Sequence, residues 1–326
     1  MNWNSLADKV LAGGEVTREE ATAVLHAPEN EFLAVLHAAF RLRERFWGRG
    51  VNIHILENAK SGLCKENCKF CSQAMGAYSG VDRYGMMSAD ELVEGARNAH
   101  SKNAVKYCIV TATRGPSPKD MEIICEATRR IKSEMDIHIC TSLGLLNADQ
   151  AKQLADAGVD RFNHNLETSR EFYPEICNTH TYDDRVDTIR HAKNAGMEAC
   201  CGGIMGMGET DEDRVQLALE LRELEVESIP VNFLDPRPGT PLGEVTRLTP
   251  VECLKALCMF RFVNPMRDIR AAGGREVCLK HLQPFALYAA NSIFTEGYLT
   301  TGGQSESEDM QMIEEAGFHV AELVTA

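Results

Sequence analysis

From Val51 onward, short runs of β-branched and apolar residues alternate with amphipathic segments of helical length. The pattern predicts eight strands, near residues 51–56, 105–112, 136–142, 159–166, 197–205, 228–234, 267–271 and 290–295. Helices are predicted between them, for example at 88–100, 118–133, 147–157, 183–195, 210–224 and 250–262. Repeated strand–helix units imply parallel strands with right-handed crossovers. We therefore expect an α/β fold, a (β/α)8 barrel of TIM type, although a doubly wound sheet would give a similar pattern.

The residues before the first strand have a helical pattern. Thr17 to Glu20 has the form of a capping box, and apolar residues recur at helical spacing from Phe32 to about Phe46. No proline- or serine-rich linker divides the rest of the chain. We expect an N-terminal helical flank over residues 1–50 and a single barrel domain over residues 51–326.

Charge and composition exclude several classes of function. The net charge of -14 argues against non-specific binding to nucleic acids or anionic membranes, because such binding needs a basic surface. No apolar run is long enough to span a membrane, and the N-terminus lacks a secretory pattern. Twelve cysteines in 326 residues are too dilute for a disulfide scaffold and indicate metal binding or redox chemistry. A cytoplasmic protein that acts on small molecules is expected.

Three cysteines within eight residues form the strongest local motif. Cys64, Cys68 and Cys71 have the spacing CxxxCxxC, with the aromatic Phe70 before the last cysteine. Structural metal sites are usually closed by four protein ligands, so a tight group of three suits an iron–sulfur cube with one open iron. A zinc site with a distant fourth ligand and a loop of free thiols are the alternatives.

Three further cysteines fall inside predicted strands. Cys108 lies in the second strand, Cys140 in the third and Cys200 in the fifth. Taken singly, each suits the role of a small core residue. Alternate side chains of barrel strands face one lumen, so the three thiols could converge on one cluster. Arg270 of the seventh strand could be a fourth ligand there, or a member of a structural ion pair.

Three polar residues at the end of the fourth predicted strand occupy alternate positions, so their side chains share one face. Asn163, Asn165 and Glu167 are expected to line the lumen near the carboxyl ends of the strands, where barrel active sites lie. Amides and a carboxylate suit an amino acid, a ribose or a cyclic urea, and a satisfied internal network is the alternative. Asn232 of the sixth strand adds a similar amide, or caps its strand. The glycines of residues 202–208 would let the backbone approach a flat ligand.

Together these motifs resemble those of the radical S-adenosylmethionine (SAM) enzymes. The similarity is greatest to the members that insert sulfur into dethiobiotin, and it runs from about Asn52 to Phe318. Besides CxxxCxxC, it includes in order the segments 163–168, 182–185, 201–209, 239–242 and 291–301. The order of the motifs makes the resemblance more specific than any one of them.

The resemblance implies two iron–sulfur clusters. The first is a 4Fe–4S cluster whose open iron binds SAM, and one electron then cleaves SAM to methionine and a 5'-deoxyadenosyl radical. The second, 2Fe–2S in the family, supplies the sulfur that closes the ring of biotin, with two SAM consumed per ring. The implied ligands of the first cluster are Cys64, Cys68 and Cys71, and those of the second are Cys108, Cys140, Cys200 and Arg270.

The resemblance also implies contacts to the cofactor and the substrate, and no side chain as an acid or base catalyst. The implied contact residues are Phe70, Asn163, Asn165, Glu167, Arg185, Gly202, Ile204, Gly206 and Asn232. Dethiobiotin is the implied substrate. Further expectations are an electron donor of flavodoxin or ferredoxin type, cluster-assembly proteins as partners, a homodimer, and no contact with nucleic acid or membrane.

Three positions depart from the family pattern. Cys201 stands where we would expect serine, and Glu167 stands where aspartate is common. Cys278 has no counterpart in many relatives, and a fourth thiolate raises the hypothesis of a second cluster larger than 2Fe–2S. Strand parity directs Cys201 away from the lumen. The alternatives are another radical SAM barrel, such as a hydrogenase-cofactor maturase or a methylornithine-type mutase, and a non-enzymatic iron–sulfur or zinc electron carrier.

Overall fold

A computed structural model of the chain describes residues 1–321. Residues 322–326, the end of the predicted domain 51–326, lie outside the described residues. The helices are α1 (Trp3–Leu11), α2 (Arg18–Leu25), α3 (Phe32–Trp47), α4 (Ala89–Ser101), α5 (Pro118–Glu134), α6 (Ala148–Ala157), α7 (Tyr173–Ile176), α8 (Tyr182–Asn194), α9 (Asp211–Glu223), α10 (Pro250–Val263), α11 (Arg275–Leu279), α12 (Gln283–Ala286) and α13 (Glu306–Glu315). The strands are β1 (Gly50–Lys60), β2 (Lys106–Thr111), β3 (His138–Ser142), β4 (Arg161–Asn163), β5 (Glu198–Cys200), β6 (Gly203–Met205), β7 (Ser228–Phe233), β8 (Asp268–Ala271), β9 (Ser292–Phe294) and β10 (His319–Val320).

The strands close into a parallel barrel. Their order is β1-β2-β3-β4-β5-β7-β8-β9, and β9 pairs with β1 to complete the ring. β6 continues the fifth strand position and pairs with β7, so eight positions surround the lumen. β10 pairs with β1 at its first residues, Gly50 and Val51. The predicted (β/α)8 barrel is therefore confirmed, and the doubly wound alternative is wrong because the sheet has no edge at β1 or β9.

Local sequence sets the starts of most long helices. Eight helices begin with a capping box, in which the N-cap side chain and the side chain three residues later each bond the other's backbone N–H. The N-cap residues are Thr17, Ser88, Ser117, Asn147, Thr181, Thr210, Thr249 and Ser305. Such caps fix where each strand-to-helix connection ends, and thereby how much chain is left to form the site.

The helices α1, α2 and α3 pack on the outside of the barrel, against α9 and α10. Arg43 of α3 is fully buried and donates from Nε to the carbonyl of Ala290 and from Nη2 to the carbonyl of Gly50, at 3.3 and 2.8 Å. These contacts lie near the amino end of β1. The N-terminal helices thus contact the side of the barrel opposite the carboxyl ends of the strands.

The last part of the barrel differs from the regular pattern. After β8 the crossover is broken into the short helices α11 and α12, because α11 ends at Leu279 and the next residue, Lys280, has a φ of 51° that is not helical. α13 and β10 were not predicted, because α13 is rich in acidic residues and buries little apolar surface. Within residues 1–321, no helix combines the length and the apolar character that crossing a membrane requires.

Candidate active site

Two cavities at the carboxyl ends of the strands share a wall. The larger has a volume of about 410 Å³ and reaches into the lumen, to Cys200 and Arg270. The smaller, of about 220 Å³, lies under the loop that follows β1. The side chains that line both include Phe70, Cys71, Asn163, Asn165 and Glu167. A ligand in one cavity would therefore lie beside a ligand in the other.

Cys64, Cys68 and Cys71 line the smaller cavity from the loop of residues 61–87. A turn in which the N–H of Cys71 donates to the carbonyl of Cys68, at 3.1 Å, sets their relative positions. Burial raises the pKa of Cys64, and it raises that of Cys71 to about 11. These thiols are therefore neutral at pH 7 unless a cation such as iron makes thiolates of them.

The spacing of these sulfurs tests the kind of metal group that fits. Within residues 1–321, only Cys68, Cys177 and His180 bring three possible ligand atoms within 4.8 Å of one another. At least one pair among the Cys64, Cys68 and Cys71 sulfurs is therefore farther apart, whereas thiolates around a single zinc ion lie about 3.8 Å apart. Three thiols spread around a cavity fit a larger group, such as a cluster, better than one ion.

Arg185 of α8 connects this loop with the residues after β4. Its Nε donates to the hydroxyl of Tyr173 at 2.6 Å, and its Nη1 donates to the carbonyl of Asn165 at 2.7 Å. Its Nη1 also lies 3.5 Å from the Glu167 carboxylate, and its Nη2 lies 4.0 Å from the Cys68 sulfur. One buried cation thus faces both the cysteine loop and the polar wall of the cavities.

Glu167 has an unusual backbone for a residue with a side chain. Its φ is 71°, in the left-handed region, and the strain is held by two hydrogen bonds: its N–H donates to Gly202 and its carbonyl accepts from Ile204, at 3.1 and 2.8 Å. Burial raises the pKa of its carboxyl, although Arg185 and the amide of Asn165 oppose the shift. The fold therefore keeps a carboxyl group at the shared wall at a conformational cost of about 1–3 kcal/mol.

The strand-borne set is brought together in the lumen. Cys108 of β2 and Cys140 of β3 are register partners, and both are about 1% exposed. Arg270 of β8 donates from Nη1 to the sulfur of Cys200, at 3.8 Å, and Asn163 donates from Nδ2 to that of Cys108, at 3.7 Å. Like the loop trio, these three cysteines do not form a set with single-ion spacing in the described chain. Their arrangement also suits a cluster.

The ionisation of the strand-borne cysteines is uneven. A hydrogen bond from the Cys108 thiol lowers the pKa of Cys140, and the positive charges of Arg161 and Lys106 lower it further, although burial opposes them. The same thiol–thiol hydrogen bond and burial raise the pKa of Cys108. One thiol of the pair is therefore prepared to act as a thiolate ligand before any metal arrives.

Polar groups fix the guanidinium of Arg270. Its Nη2 donates to Ser228 Oγ at 3.0 Å and lies 3.5 Å from the Asp268 carboxylate and 3.4 Å from His54 Nε2. Burial would raise the pKa of Asp268, but the charges of Arg270 and Arg161 hold it well below its usual range. Burial and the charge of Arg270 lower the pKa of His54, which is therefore neutral. This network positions one cation against the sulfur of Cys200.

Two of the unusual cysteines lie outside the lumen. Cys278 on α11 packs in the apolar layer beside Cys253 of α10, and its thiol donates to the carbonyl of Leu234 at 3.5 Å. The structure thus does not bring Cys278 to the strand-borne set, because its helix lies outside the barrel wall. Cys201 is fully buried in the same apolar layer, on the face opposite Cys200.

The glycines after β5 lie against neighbouring backbone. A Cβ on Gly202 would lie 2.0 Å from the carbonyl oxygen of Pro230, and one on Gly203 would lie 2.5 Å from that of Glu167. These two glycines therefore allow neighbouring strands to approach closely. Gly206 (φ 96°) shapes the following turn, whereas the side chain of Ile204 lines the larger cavity.

Asn232 lines the larger cavity, but both ends of its amide are already bonded. Its Nδ2 donates to the carbonyl of Gly203 at 3.1 Å, and its Oδ1 accepts from the N–H of Gly273 at 2.9 Å. The strand-capping alternative therefore describes its contacts. Asn163 differs, because its buried Oδ1 has no hydrogen-bond partner among residues 1–321 and the residue lines both cavities. An unpaired buried acceptor next to a cavity suits a ligand that donates a hydrogen bond.

Comparison with known proteins identifies the family. Residues 60–221 match the model of the radical SAM superfamily, and residues 230–319 match that of the biotin and thiamin synthesis associated domain. The chain is 58% identical over 316 residues to a biotin synthase of Salinibacter ruber, covering 97% of this chain and 88% of that protein. It is 50% identical over 318 residues to a biotin synthase of Bacillus subtilis strain 168, covering 98% and 95%. The chain belongs to the biotin synthase family.

Two solved structures of proteins with other names have the same fold. A methylornithine synthase (PylB) superposes with a TM-score of 0.84 at 20% identity, covering 97% of both chains. The hydrogenase maturase HydG of Carboxydothermus hydrogenoformans gives 0.82 at 16% identity, covering 97% of this chain and 78% of that one. At such identities only the fold is shared. These proteins match the alternatives drawn from the sequence, which the high identity to biotin synthases does not support.

Membership of the biotin synthase family makes the chain a radical SAM enzyme of the sulfur-inserting class, and it implies a 4Fe–4S cluster and SAM as cofactors. The thiols that line the smaller cavity fit such a cluster in number and spread. The electron-carrier alternative is therefore wrong.

Sequence reasoning missed several residues of the site. Asp268 and Ser228 hold Arg270; Asp268 lies two residues before Arg270 and Ser228 four before Asn232, so the parity argument applied to cysteines would have found them. Glu66 and His180 bond each other beside the cysteine loop, at 2.6 Å between Oε2 and Nδ1. They come from distant segments, and no spacing in the sequence pairs them.

Proposed function

We propose that this chain converts dethiobiotin to biotin, the last step of biotin biosynthesis, and that two SAM molecules are cleaved per biotin. The observation that carries the proposal is the wall shared by the two cavities, of which the smaller is also lined by Cys64 and Cys68 and the larger by Cys200. When bound, the 4Fe–4S cluster with SAM supplies a 5'-deoxyadenosyl radical, and the second cluster supplies sulfur. The proposal needs both groups within reach of one substrate, and the shared wall supports that.

We assign the first cluster to Cys64, Cys68 and Cys71. SAM would be contacted by residues of the shared wall and its neighbours, where the amide and carboxylate groups of Asn163, Asn165 and Glu167 can bond an amino acid and a ribose. The further contact residues that we propose are Phe70, Arg185, Gly202, Ile204 and Gly206. Arg185 supports this assignment, because it fixes the backbone of Asn165 while its charge faces the Glu167 carboxylate.

We assign the second cluster to Cys108, Cys140, Cys200 and Arg270, and infer that it is 2Fe–2S. The inference of the smaller cluster is supported by the position of Cys278, whose thiol bonds the carbonyl of Leu234 outside the lumen. Burial lowers the pKa of Arg270, but the neighbouring Cys200 and Asp268 outweigh it and raise that pKa, so the guanidinium stays charged. Its fixed position lets it act as a ligand or as a counter-charge to sulfide.

The lumen supplies the binding space for dethiobiotin. Its ureido N–H groups suit the unpaired Oδ1 of Asn163, and Asn232 would face the same ring. Leu56, Val110 and Phe294 give the cavity apolar walls. Such walls exclude water, which protects reactive carbon centres from side reactions. None of residues 1–49 lines either cavity, so we propose that the loop 61–87 and residues 294–302 exclude water from them.

Several expectations are kept as parts of this proposal. They are a helical flank over 1–50 with one barrel domain over 51–326, a cytoplasmic location, a homodimer, an electron donor of flavodoxin or ferredoxin type, and cluster-assembly proteins as partners. The reducing compartment is supported by the twelve cysteines, all of which are free thiols.

The test uses the reconstituted protein under anaerobic conditions with reductant, SAM and dethiobiotin. The wild type should form biotin and about two 5'-deoxyadenosine per biotin, as the proposed stoichiometry requires. Cys71→Ala should form neither product, whereas Cys200→Ala should still form 5'-deoxyadenosine but no biotin. Cys125→Ala is the matched control, since its thiol bonds the carbonyl of Gln153 on the outside of the barrel, and it should behave as wild type.

Two results would contradict the proposal. Formation of 5'-deoxyadenosine without biotin by the wild type would show that dethiobiotin is not the substrate. Biotin formation by Cys200→Ala at the wild-type yield would show that the strand-borne set does not supply the sulfur.

A further inference from the structure

A second group of metal-ligand atoms includes Cys68 of the cysteine loop and adds Cys177 and His180, two residues that the proposed function does not use. Cys177 follows α7 and His180 precedes α8, and both side chains are buried against Cys68. The sulfurs of Cys68 and Cys177 are 3.7 Å apart, and the sulfur of Cys177 is 3.4 Å from His180 Nδ1. Within residues 1–321 this is the one group of three that lies within 4.8 Å of one another.

We propose that Cys68, Cys177 and His180 bind one divalent ion of the zinc class when the chain carries no cluster at its cysteine loop. In a tetrahedral site, metal–sulfur bonds of about 2.3 Å and metal–nitrogen bonds of about 2.0–2.1 Å separate the ligand atoms by about 3.5–3.8 Å. The two observed distances, 3.7 and 3.4 Å, agree with this geometry. Two sulfurs and one imidazole nitrogen are also the donors that zinc prefers.

The imidazole of His180 is oriented for such a role. Its Nε2 lies 2.8 Å from the hydroxyl of Tyr173, which itself accepts a hydrogen bond from Arg185 Nε at 2.6 Å. The Tyr173 proton therefore points to Nε2, and the ring proton sits on Nδ1. Zinc-bound histidines donate from their second ring nitrogen in a hydrogen bond that fixes the ring, and Nε2 would donate to the Tyr173 hydroxyl once the ring proton moves there.

Glu66 supplies the charge and the nearest further donor. Its Oε2 lies 2.6 Å from His180 Nδ1, and its Oε1 lies 2.9 Å from Arg114 Nη1. Metal binding at Nδ1 would require the ring proton to move to Nε2, and it would release the two thiol protons to solvent, since ligands must be deprotonated. Oε2 then loses its hydrogen bond to Nδ1 and keeps the one from the Thr179 hydroxyl. Glu66 does not lie within 4.8 Å of all three ligand atoms, so its carboxylate must move to take the fourth position. Two thiolates and one carboxylate exceed the charge of the ion by one, which Arg114 and Arg185 offset.

The site shares Cys68 with the cluster ligands assigned above. One sulfur cannot hold both groups, so an ion bound here would exclude assembly of the 4Fe–4S cluster. This consequence rests on the proposed function, whereas the binding of the ion does not. Zinc would therefore occupy Cys68 in the cluster-free chain, and assembly of the cluster would have to displace the zinc.

The test titrates Co²⁺ into the metal-free, fully reduced chain and follows the visible bands of tetrahedral cobalt–thiolate coordination. We expect one Co²⁺ per chain, displaced by Zn²⁺. Cys177→Ser and His180→Gln should weaken binding at least about tenfold, and their circular dichroism should match the wild type. Unchanged cobalt bands in both folded variants would overturn the proposal.

Two variants distinguish this site from the cysteine loop. Cys64→Ala combined with Cys71→Ala should keep the cobalt bands and lose the four irons of the first cluster on reconstitution. Cys177→Ser should do the reverse, losing cobalt and keeping the iron. If cobalt binds to the loop trio instead, Cys64→Ala combined with Cys71→Ala would lose the cobalt bands, and this result would overturn the proposal. Absence of iron from the loop in Cys177→Ser and wild type alike would instead count against the proposed function, with the cobalt result unaffected.

The last experiment measures competition between Zn²⁺ and the first cluster. Wild-type chain preloaded with Zn²⁺ should reconstitute its first cluster more slowly than metal-free chain, and Cys177→Ser should show no such delay. Equal rates with and without zinc in the wild type would overturn the exclusion.

Discussion

The two sets of cysteines are held in opposite ways. The loop trio lies on residues 61–87, a segment with exposed apolar side chains such as Tyr78 (87% exposed) and Met75 (59%). The strand-borne set lies on β2, β3, β5 and β8, and each of its residues is about 1% exposed. Motif spacing and local turns position the first set. Strand register positions the strand-borne set, so its proposed ligands are themselves residues of the barrel strands.

This difference has a consequence for what each region tolerates. A side chain on the loop can change without disturbing the barrel ladder, because the loop belongs to no strand. In the lumen, a change meets neighbours on both sides and a buried charge network. We therefore expect substitutions in the lumen to lower stability and substitutions on the loop to lower cluster binding with little loss of stability.

The largest effect on stability is expected for Asp268→Asn. The Asp268 carboxylate accepts hydrogen bonds from Ser228, Asn291 and Ser292, and it faces the buried cations Arg161 and Arg270. The asparagine amide has the size of the carboxylate but carries no charge. Its NH2 group would also face the groups that donate to the carboxylate in the wild type. The free energy of unfolding should fall by about 3–5 kcal/mol, measured by urea denaturation.

Asp156→Asn is the control for that loss. Asp156 pairs with Lys152 on the exposed face of α6, at 2.8 Å, and both side chains are more than half exposed. Its removal should change the free energy of unfolding by about 0.5 kcal/mol or less. A loss as small as this for Asp268→Asn would show that the lumen network does not stabilise the barrel.

A smaller effect is expected for Gly202→Ala. The new Cβ would lie 2.0 Å from the carbonyl oxygen of Pro230, so β7 would have to move away from the chain after β5. Overpacking of this kind lowers the free energy of unfolding by about 1–3 kcal/mol. Gly85→Ala in the loop is matched to it, because nothing lies within 4 Å of its Cβ, and thermal melting should show no loss. Equal melting temperatures for the two variants would contradict the contrast.

The parts that the sequence predicts are those that depend on local pattern or on parity. The eight strand positions follow from alternating runs, and the helix starts from capping residues such as Ser88 and Thr249. Parity also orients Cys200 and Cys201 to opposite sides of one strand. Nothing local indicates that Cys278 lies outside the barrel, since that depends on how the crossover after β8 breaks up.

Contacts between distant segments account for the rest of the difference. The Glu66–His180 pair joins residues that are 114 positions apart, and Cys177 meets Cys68 across 109. The closeness of Pro230 to Gly202 is likewise a property of strand packing rather than of the glycine-rich run. Such contacts depend on the assembled barrel, which one sequence describes only through its regular elements.

The smallest effect on stability is expected for Cys64→Ala, which is the sharpest test of the contrast. Cys64 is partly exposed on the loop, and its thiol lines the smaller cavity without being part of any strand. Its loss should change the free energy of unfolding of the cluster-free chain by about 0.5 kcal/mol or less, while iron bound at the loop after reconstitution should fall to background. Urea denaturation and iron analysis of the same preparations measure the two effects. A ligand side chain that only faces a cavity contributes little to stability until metal binds. A loss of stability as large as that of Gly202→Ala would therefore mean that the loop, like the lumen, stabilises the barrel.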